Sequence, residues 1–593
     1  MTTVSPEFDI ESQLDNEAET PATTAAPRHS EVTVEQLLYL VIALITAVMR
    51  LANLGRVPLA PSEAQEALAV WGYWQPNGPL FDIVSPAYFS LTSLLVQFTG
   101  HHDVVMRLLP ALAGILVVLL PYWLRPYIGR LGALITSLML ALSPTLVFTS
   151  RQAGGDMLAL AAALLLVVAW LHYRDQGDPK WLYTLAVAIG LGLTTSAVFY
   201  SALITLLIAI GLERLVGPPL FDNLQRPSAS ARRTAVLVGI GVLVATGTLF
   251  LWNPAGLGAT TALLANWFSG FTLNATLPMW LNPILVLGRY EAAVLLLGTL
   301  CAAWATWQSH PIATFFAYWF IGGLLLILLQ AGNLQNVLVL TLPGYLLIGM
   351  WTNHLFAQSH RLREGWTRWP LGSLLLVMTL VVATNLGRFA RIQQYTPSDF
   401  SNLSLAIVCV IMSFIVIALV ITWDPYAALQ GITVPMLIML VVFNWGQAWR
   451  LGYIAANDPR ERWIGETTDD DLKMTVALMS ELANQTKRDA RAASIFSSVD
   501  EPAVRWYLRD LPQVDYGTGA PSTGNYDFLI TQSGEPQVDG NYVGTDFGYR
   551  RPDTEHFLDP LQALRWWLFY QSAQPIREER AVLWIRTDLL IQE

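Results

Sequence analysis

Charge is what this chain has least of: 13% of its 593 residues are Asp, Glu, Lys or Arg, against about 25% in soluble proteins. With 54% hydrophobic residues, too little polar surface exists for a water-soluble body of several domains. The chain therefore reads as an integral membrane protein. Cysteine is nearly absent. Cys301 and Cys409 both fall inside apolar runs, which excludes a disulfide framework or zinc site and leaves two buried thiols. No basic n-region or small-residue cleavage site precedes the first apolar run, so that run reads as a retained anchor. Walker, G-x-G-x-x-G and G-x-S-x-G motifs are missing. No internal repeat supports an inverted-repeat transporter. His101 and His102 have no companion ligand at useful spacing, so no metal-ligating residues are assigned.

The charge that is present falls into three zones. Residues 1–35 carry a net −7, residues 36–446 a net +5, and residues 447–593 a net −8. The first reads as a disordered acidic cytoplasmic tail, and the last as an acidic C-terminal domain. Nothing here is the basic stripe that nucleic acid demands.

Apolar runs of about 20 residues suffice to cross the hydrocarbon, and about thirteen are legible: 36–53, 104–124, 131–148, 155–173, 181–197, 200–216, 234–252, 283–307, 312–329, 337–355, 371–386, 403–423 and 432–445. The split at Thr194-Thr195-Ser196 is the weakest boundary. Lys and Arg in the connecting loops divide eleven to seven in favour of a cytoplasmic N-terminus. The expected architecture is an all-α polytopic transmembrane domain over 36–447 and a small extracytoplasmic α/β or α+β domain over 448–593. Two extracytoplasmic loops, 54–103 and 253–282, are too long to be turns. The first holds a predicted helix over 63–74 and an apolar stretch, 86–98, that suits the membrane interface. The second suits a loop at headgroup level. In the C-terminal segment, helices are predicted at 471–486, 501–511 and 560–570, and strands at 493–498, 526–531 and 581–585.

Acids beside a bilayer are costly unless paired or solvated, which makes the few on the extracytoplasmic side informative. They are Glu63, Glu66, Asp82, Asp103, Asp156, Glu291 and Asp399. Arg151 and Arg289 stand near them in sequence. If these segments converge, the arginines suit a phosphate while a carboxylate activates a hydroxyl. Two structural readings compete. Ser62 to Gln65 fits an S-x-x-Q capping box, and the Asp469-Asp470-Asp471 run suits helix capping rather than a metal cluster.

Several short motifs resemble those of membrane glycosyltransferases of the GT-C fold, such as protein O-mannosyltransferases and the lipid A aminoarabinose transferase. They are 50–55 (Arg-Leu-Ala-Asn-Leu-Gly), 58–64 (Pro-Leu-Ala-Pro-Ser-Glu-Ala), 85–89 (Ser-Pro-Ala-Tyr-Phe), 107–114 (Arg-Leu-Leu-Pro-Ala-Leu-Ala-Gly) and 150–156 (Ser-Arg-Gln-Ala-Gly-Gly-Asp). Tyr290-Glu291 and 506–509 (Trp-Tyr-Leu-Arg) are most similar to a prokaryotic branch associated with an N-glycosylation flippase. The resemblance implies transfer of a sugar from a polyprenyl-phosphate donor to a glycan, protein or lipid acceptor at the extracytoplasmic face of the plasma membrane. It implies Glu63 and Asp82 as catalytic carboxylates, and Ser62, Glu66, Arg151, Asp156, Arg289 and Glu291 as substrate-binding residues. No cofactor is fixed, and a divalent ion, Mg or Mn, is left open. The family's first-loop pair is Asp-Glu, and Ser62 stands where the Asp would be. That departure keeps open a non-catalytic, flippase-associated role in lipid-linked glycan handling.

Overall fold

Every apolar run named above falls on helix in the computed structural model, but fewer of the runs than expected become full spans. The described residues are 33–76, 81–217, 226–271, 274–308, 310–357, 368–390, 400–423, 425–519, 521, 526–535, 538, 541–553, 566–567, 570 and 575–590. The acidic tail to residue 32, Asp399 and most of the predicted helix 560–570 lie outside them. Among the described residues nine helices are long and apolar enough to cross a membrane, or ten if the pair Leu277–Tyr290 and Val294–Gln308 is one span. The expected thirteen are not found, for local reasons. The run 131–148 breaks at Ser143-Pro144 into Arg130–Leu142 and Pro144–Thr149, because a proline removes a helical donor and clashes with the preceding turn. The run 181–197 yields only the 14-residue helix Pro179–Gly192. The pair at 277–308 bends by 105°. The interhelical segment 253–282 is not a plain loop either, since it folds in part into the helix Gly256–Ser269.

The described residues from Ile42 onward form one compact unit, to which 33–41 do not belong. Within the larger unit the helix Asp156–Gln176 is central, with 78% of its most apolar window buried, whereas the figure for Phe400–Trp423 is 6%. The difference follows from side-chain size. Ala159, Ala161, Ala162, Ala163 and Ala169 give the central helix small faces against which Asp103–Leu119, Pro179–Gly192 and Ala197–Val216 pack, the geometry small residues favour between membrane helices. Phe400–Trp423 instead turns Phe414, Leu419 and Ile415 outward, a surface that only hydrocarbon covers at low cost. The protein is thus a multi-pass membrane protein. Close approach also explains Gly114, where a Cβ would stand 2.7 Å from Ser150 Cβ and 2.8 Å from Nε of buried Arg50. Arg50 in turn donates to the carbonyls of Leu140 and Ala141, satisfying the end of a helix that has no residues left to do so.

The C-terminal part is a small α+β unit. Its strands are β1 Thr467–Thr468, β2 Ile495–Ser497, β3 Val514–Tyr516, β4 Phe528–Gln532, β5 Tyr542–Arg551 and β6 Glu579–Arg586, in the order β1-β5-β6-β4-β2-β3. β2 runs parallel to β3 and β4, and the other pairs are antiparallel. The helices Asp470–Lys487 and Pro502–Leu508 lie where they are predicted, as do β2, β4 and β6. Asp469 caps the first of these helices by accepting from the Asp471 N–H.

This unit is fastened to the first long loop by buried polar contacts. Asp103 accepts from Trp506 Nε1 at 2.9 Å, Tyr507 Oη at 3.1 Å and Lys473 Nζ at 3.1 Å. Tyr507 Oη also accepts the Leu59 N–H at 2.8 Å, and Thr468 Oγ1 donates to the Leu59 carbonyl at 2.6 Å. The segment leading into the helix Pro61–Tyr73 is thereby held from both sides.

Candidate functional site

The helix Pro61–Tyr73 begins with Pro61 at its first position, where the missing N–H is no loss, and its N-cap is Ala60. The expected Ser62 cap is therefore not formed. Ser62 is exposed, and it is Glu63, at the third helical position, that takes the Ala60 N–H at 3.0 Å. The same carboxylate receives Arg107 Nε at 2.8 Å and Nη2 at 2.6 Å, and the Ala153 N–H at 2.7 Å. Both partners of the ion pair are buried. Arg107 directs further N–H groups to the carbonyls of Leu54, Val57 and Pro58. Four donors on two oxygens leave Glu63 no ready site for a substrate proton. The pair ties the entry strand 54–60 to the turn at 153.

Glu66 lies one helical turn on and differs in how its carboxylate is satisfied. It is buried at 5% exposure, and its Oε2 has no hydrogen-bond partner. Burial, with a smaller contribution from Asp156, pushes its carboxyl up to about 7 against the opposing hydrogen bonds from Ser85. Asp156, the first residue of the central helix, has its carboxylate within hydrogen-bonding reach of Ser196. Three chain segments meet here. The Ala87 N–H donates to the Thr194 carbonyl at 2.7 Å, and Gly155 sits so close that a Cβ would lie 2.2 Å from the Thr195 oxygen and 2.9 Å from Ser85 Oγ. Only glycine permits that approach.

Glu66 and Asp156 line one cavity of about 290 Å³ with Ser62, Gln65, Ser85, Gln152 and Ser196. Two further cavities adjoin it. One of about 240 Å³ shares Ser62, Glu63 and Gln152 with it and contains Arg107 and Arg151. The other, about 720 Å³, shares Gln65, Val84, Leu263 and Asn266 and contains Asp82. Of the expected site residues, Ser62, Glu63, Glu66 and Asp156 are brought together in one cavity, with Arg151 and Asp82 in the flanking ones.

Arg151 does not pair with Asp156. It donates to the carbonyls of Met49, Arg50, Ala52 and Asn53 at the end of the helix Val34–Leu51 and to Tyr453 Oη, with its guanidinium 4.2 Å over the Tyr453 ring. Arg289 and Glu291 lie outside the cavity of Glu66. Arg289 donates to the Trp567 carbonyl and stacks 3.6 Å over Tyr570, with Nε and Nη2 unpartnered. Glu291, fully buried at the 105° bend, accepts from Ser143 Oγ, Thr145 Oγ1, the Thr145 N–H and Tyr345 Oη. It thus anchors the N-terminus of the helix Pro144–Thr149. Among the described residues no three His, Cys, Asp or Glu side chains are grouped as for a metal ion.

Sequence reasoning did not single out Ser85, Ser196, Gln152 or Asn266. Ser196 had a signal in the polar break Thr194-Thr195-Ser196, and the structure makes Ser196 the N-cap of the helix Ala197–Val216. The pairing of Ser85 with Glu66 had none, because it depends on tertiary approach.

Residues 83–221 match the family described as dolichyl-phosphate-mannose-protein mannosyltransferase. A curated relative, the putative mannosyltransferase YkcB of Bacillus subtilis (strain 168), is 31% identical over 113 residues, which is 18% of this chain and 16% of YkcB. The match thus spans about a sixth of that relative's length. Among solved structures, ArnT from Cupriavidus metallidurans bound to undecaprenyl phosphate aligns with a TM-score of 0.51 at 12% identity, covering 94% of this chain and 99% of ArnT. The fold is the GT-C fold that the motifs resemble, and the family match covers both the Ser85 turn and the Asp156 segment.

Proposed function

We propose that this chain is an integral-membrane glycosyltransferase that moves a sugar from a polyprenyl-phosphate donor to an acceptor hydroxyl at the extracytoplasmic face. The observation that carries this reading is the meeting of Glu66 and Asp156 at one cavity, with Oε2 of Glu66 unpartnered and its carboxyl poised near neutrality. A general base works best when its pKa lies near the working pH. The GT-C fold and the mannosyltransferase match support the reaction class.

In this reading Glu66 takes the acceptor proton as the acceptor oxygen bonds to the anomeric carbon. The bond from that carbon to the phosphate oxygen breaks, and its electrons leave with the lipid phosphate, which is a stable anion and needs little acid help. Glu63 positions the loop, since its oxygens are held by Arg107, Ala60 and Ala153. Asp156 stands beside the base, and Arg151, which has no carboxylate partner among the described residues, offers positive charge to the donor phosphate from the adjoining cavity. Asp82 belongs to the acceptor side. Arg289 and Glu291 are assigned to holding the bent helix pair and its neighbours. A divalent cation such as Mg or Mn takes oxygen ligands, and among the described residues no three His, Cys, Asp or Glu side chains are grouped for one. Held by Glu66 and Asp156 it would occupy the group assigned as base, so no step is routed through a metal. The arginine bias of the loops supports a cytoplasmic N-terminus and an extracytoplasmic unit over 448–593.

The test is transfer by purified protein from a panel of polyprenyl-phosphate sugars, with Glu66→Gln and Asp156→Asn compared with wild type. Loss of about 100-fold or more in the first variant is expected, and full activity in both would remove the site from the mechanism. A second reading, a non-catalytic partner in lipid-linked glycan handling, is favoured by Ser62, which faces two cavities where the family resemblance calls for Asp. Ser62→Asp separates the two: it raises turnover in a weakened transferase and leaves a binding protein inert.

A further inference from the structure

The largest of the three connected cavities, about 720 Å³, is the size of a small-molecule site, for which about 300–1,000 Å³ is usual. It lies between the helix Pro61–Tyr73, the turn at 81–84 and the helix Gly256–Ser269. Its polar lining is uniform in kind: the side-chain amides of Gln65, Asn253 and Asn266 and the carboxylate of Asp82. None of these four side chains is hydrogen-bonded to any described residue, although each is exposed or half-buried at the cavity wall. Tyr73 and Phe89 add an aromatic corner, with ring centroids 5.6 Å apart in an edge-to-face arrangement. Among the described residues no lysine or arginine lines the space.

Each feature narrows the ligand. Amides both donate and accept, and a carboxylate accepts, which is what a ring of vicinal hydroxyls requires. Aromatic faces suit the C–H side of a sugar ring. The lack of a cation excludes a phosphorylated or acidic ligand, whose charge would face Asp82 unneutralised. Phe81, Ile83, Val84 and Leu263 line the space as well, but among the described residues it offers no sheet edge or charged clamp of the kind that holds a peptide backbone.

We infer that this cavity is the acceptor site and that it takes a neutral carbohydrate, whose hydroxyl reaches Glu66 through the wall shared at Gln65 and Asn266. The proposal rests on the transferase reading for the role of acceptor, but the ligand class stands on the cavity alone. The test therefore measures binding rather than turnover. Full-length purified protein is titrated with a panel of neutral tri- and tetrasaccharides and, in parallel, with neutral peptides of similar size. Wild type, Asn253→Ala and Ala262→Trp are compared, the last of which plugs the cavity from an exposed position. At least one oligosaccharide is expected to bind, with affinity reduced about fivefold in Asn253→Ala, the loss of one hydrogen bond, and abolished in Ala262→Trp. No binding by any oligosaccharide, binding indifferent to both substitutions, or capture of the peptides at this cavity instead would overturn the proposal. Oligosaccharide binding with no transfer from any lipid-linked donor would sink the transferase reading and leave the carbohydrate site standing.

Discussion

At the scale of single residues, two glutamates one turn apart have been given opposite tasks by their neighbours. Glu63 is saturated by Arg107 and two backbone N–H groups, so removing it strands a buried guanidinium. Glu63→Ala is expected to destabilise the protein by about 3–5 kcal/mol, read as a fall in thermal unfolding temperature. Arg107→Ala should do the same. Glu66 carries the reverse imbalance. Its carboxyl is raised by burial to about 7 from an ordinary value near 4.3, so the folded state binds a proton more tightly than the unfolded one. Its favourable contribution is complete below the unfolded pKa and is lost as pH rises through 7. Glu66→Gln should therefore make the protein more stable at pH 8, by about 1–3 kcal/mol, while removing activity. The wild-type rate, limited by a base that must be deprotonated, should climb about tenfold per pH unit up to roughly pH 7 and level off above it. A flat profile between pH 5.5 and 8 would take Glu66 out of the role of base.

At the scale of elements, the site exists because three chain segments are allowed to touch. The contact of Gly155 with the Thr195 carbonyl and Ser85 fixes where the central helix starts and so where Asp156 stands. Gly155→Ala forces a shift of backbone against backbone, and its expected signature is a large loss of transfer with the span content unchanged by circular dichroism. The sequence made some of this legible. Apolar runs located helices throughout, and the scarcity of charge made Glu66 and Asp156 conspicuous as acids beside a bilayer. What escaped depended on packing. Glu291 reads from sequence as a residue at a span mouth within the run 283–307; that the run bends there, with Glu291 buried among Ser143, Thr145 and Tyr345, depends on tertiary contacts. Strand β5 is not among the predicted strands; it carries Gly544, Asp546 and Gly548, residue types depleted in strands, and cross-strand pairing with β6 holds them extended. The Ser62 cap failed because Pro61 moved the helix start by two residues and handed the capping role to Glu63.

At the scale of the whole molecule, the C-terminal sheet unit acts as a brace for the first loop. Asp103 gathers Trp506, Tyr507 and Lys473, and Tyr507 and Thr468 pin Leu59 just ahead of the helix that bears Glu66. Asp103→Ala should loosen that docking, increasing hydrogen exchange in both 54–76 and 502–508 while leaving the central span Asp156–Gln176 protected. This places Glu66, the carboxylate proposed as base, on an element whose position is set jointly by the membrane helices and by the sheet unit. The most direct measurement of what the molecule does with that arrangement is release of free polyprenyl phosphate from a polyprenyl-phosphate sugar by the purified full-length protein in lipid nanodiscs. Sugar transfer accompanied by stoichiometric lipid phosphate, abolished in Glu66→Gln, is the predicted result. A complete donor panel left intact by a folded wild-type protein, and by Ser62→Asp as well, would contradict it.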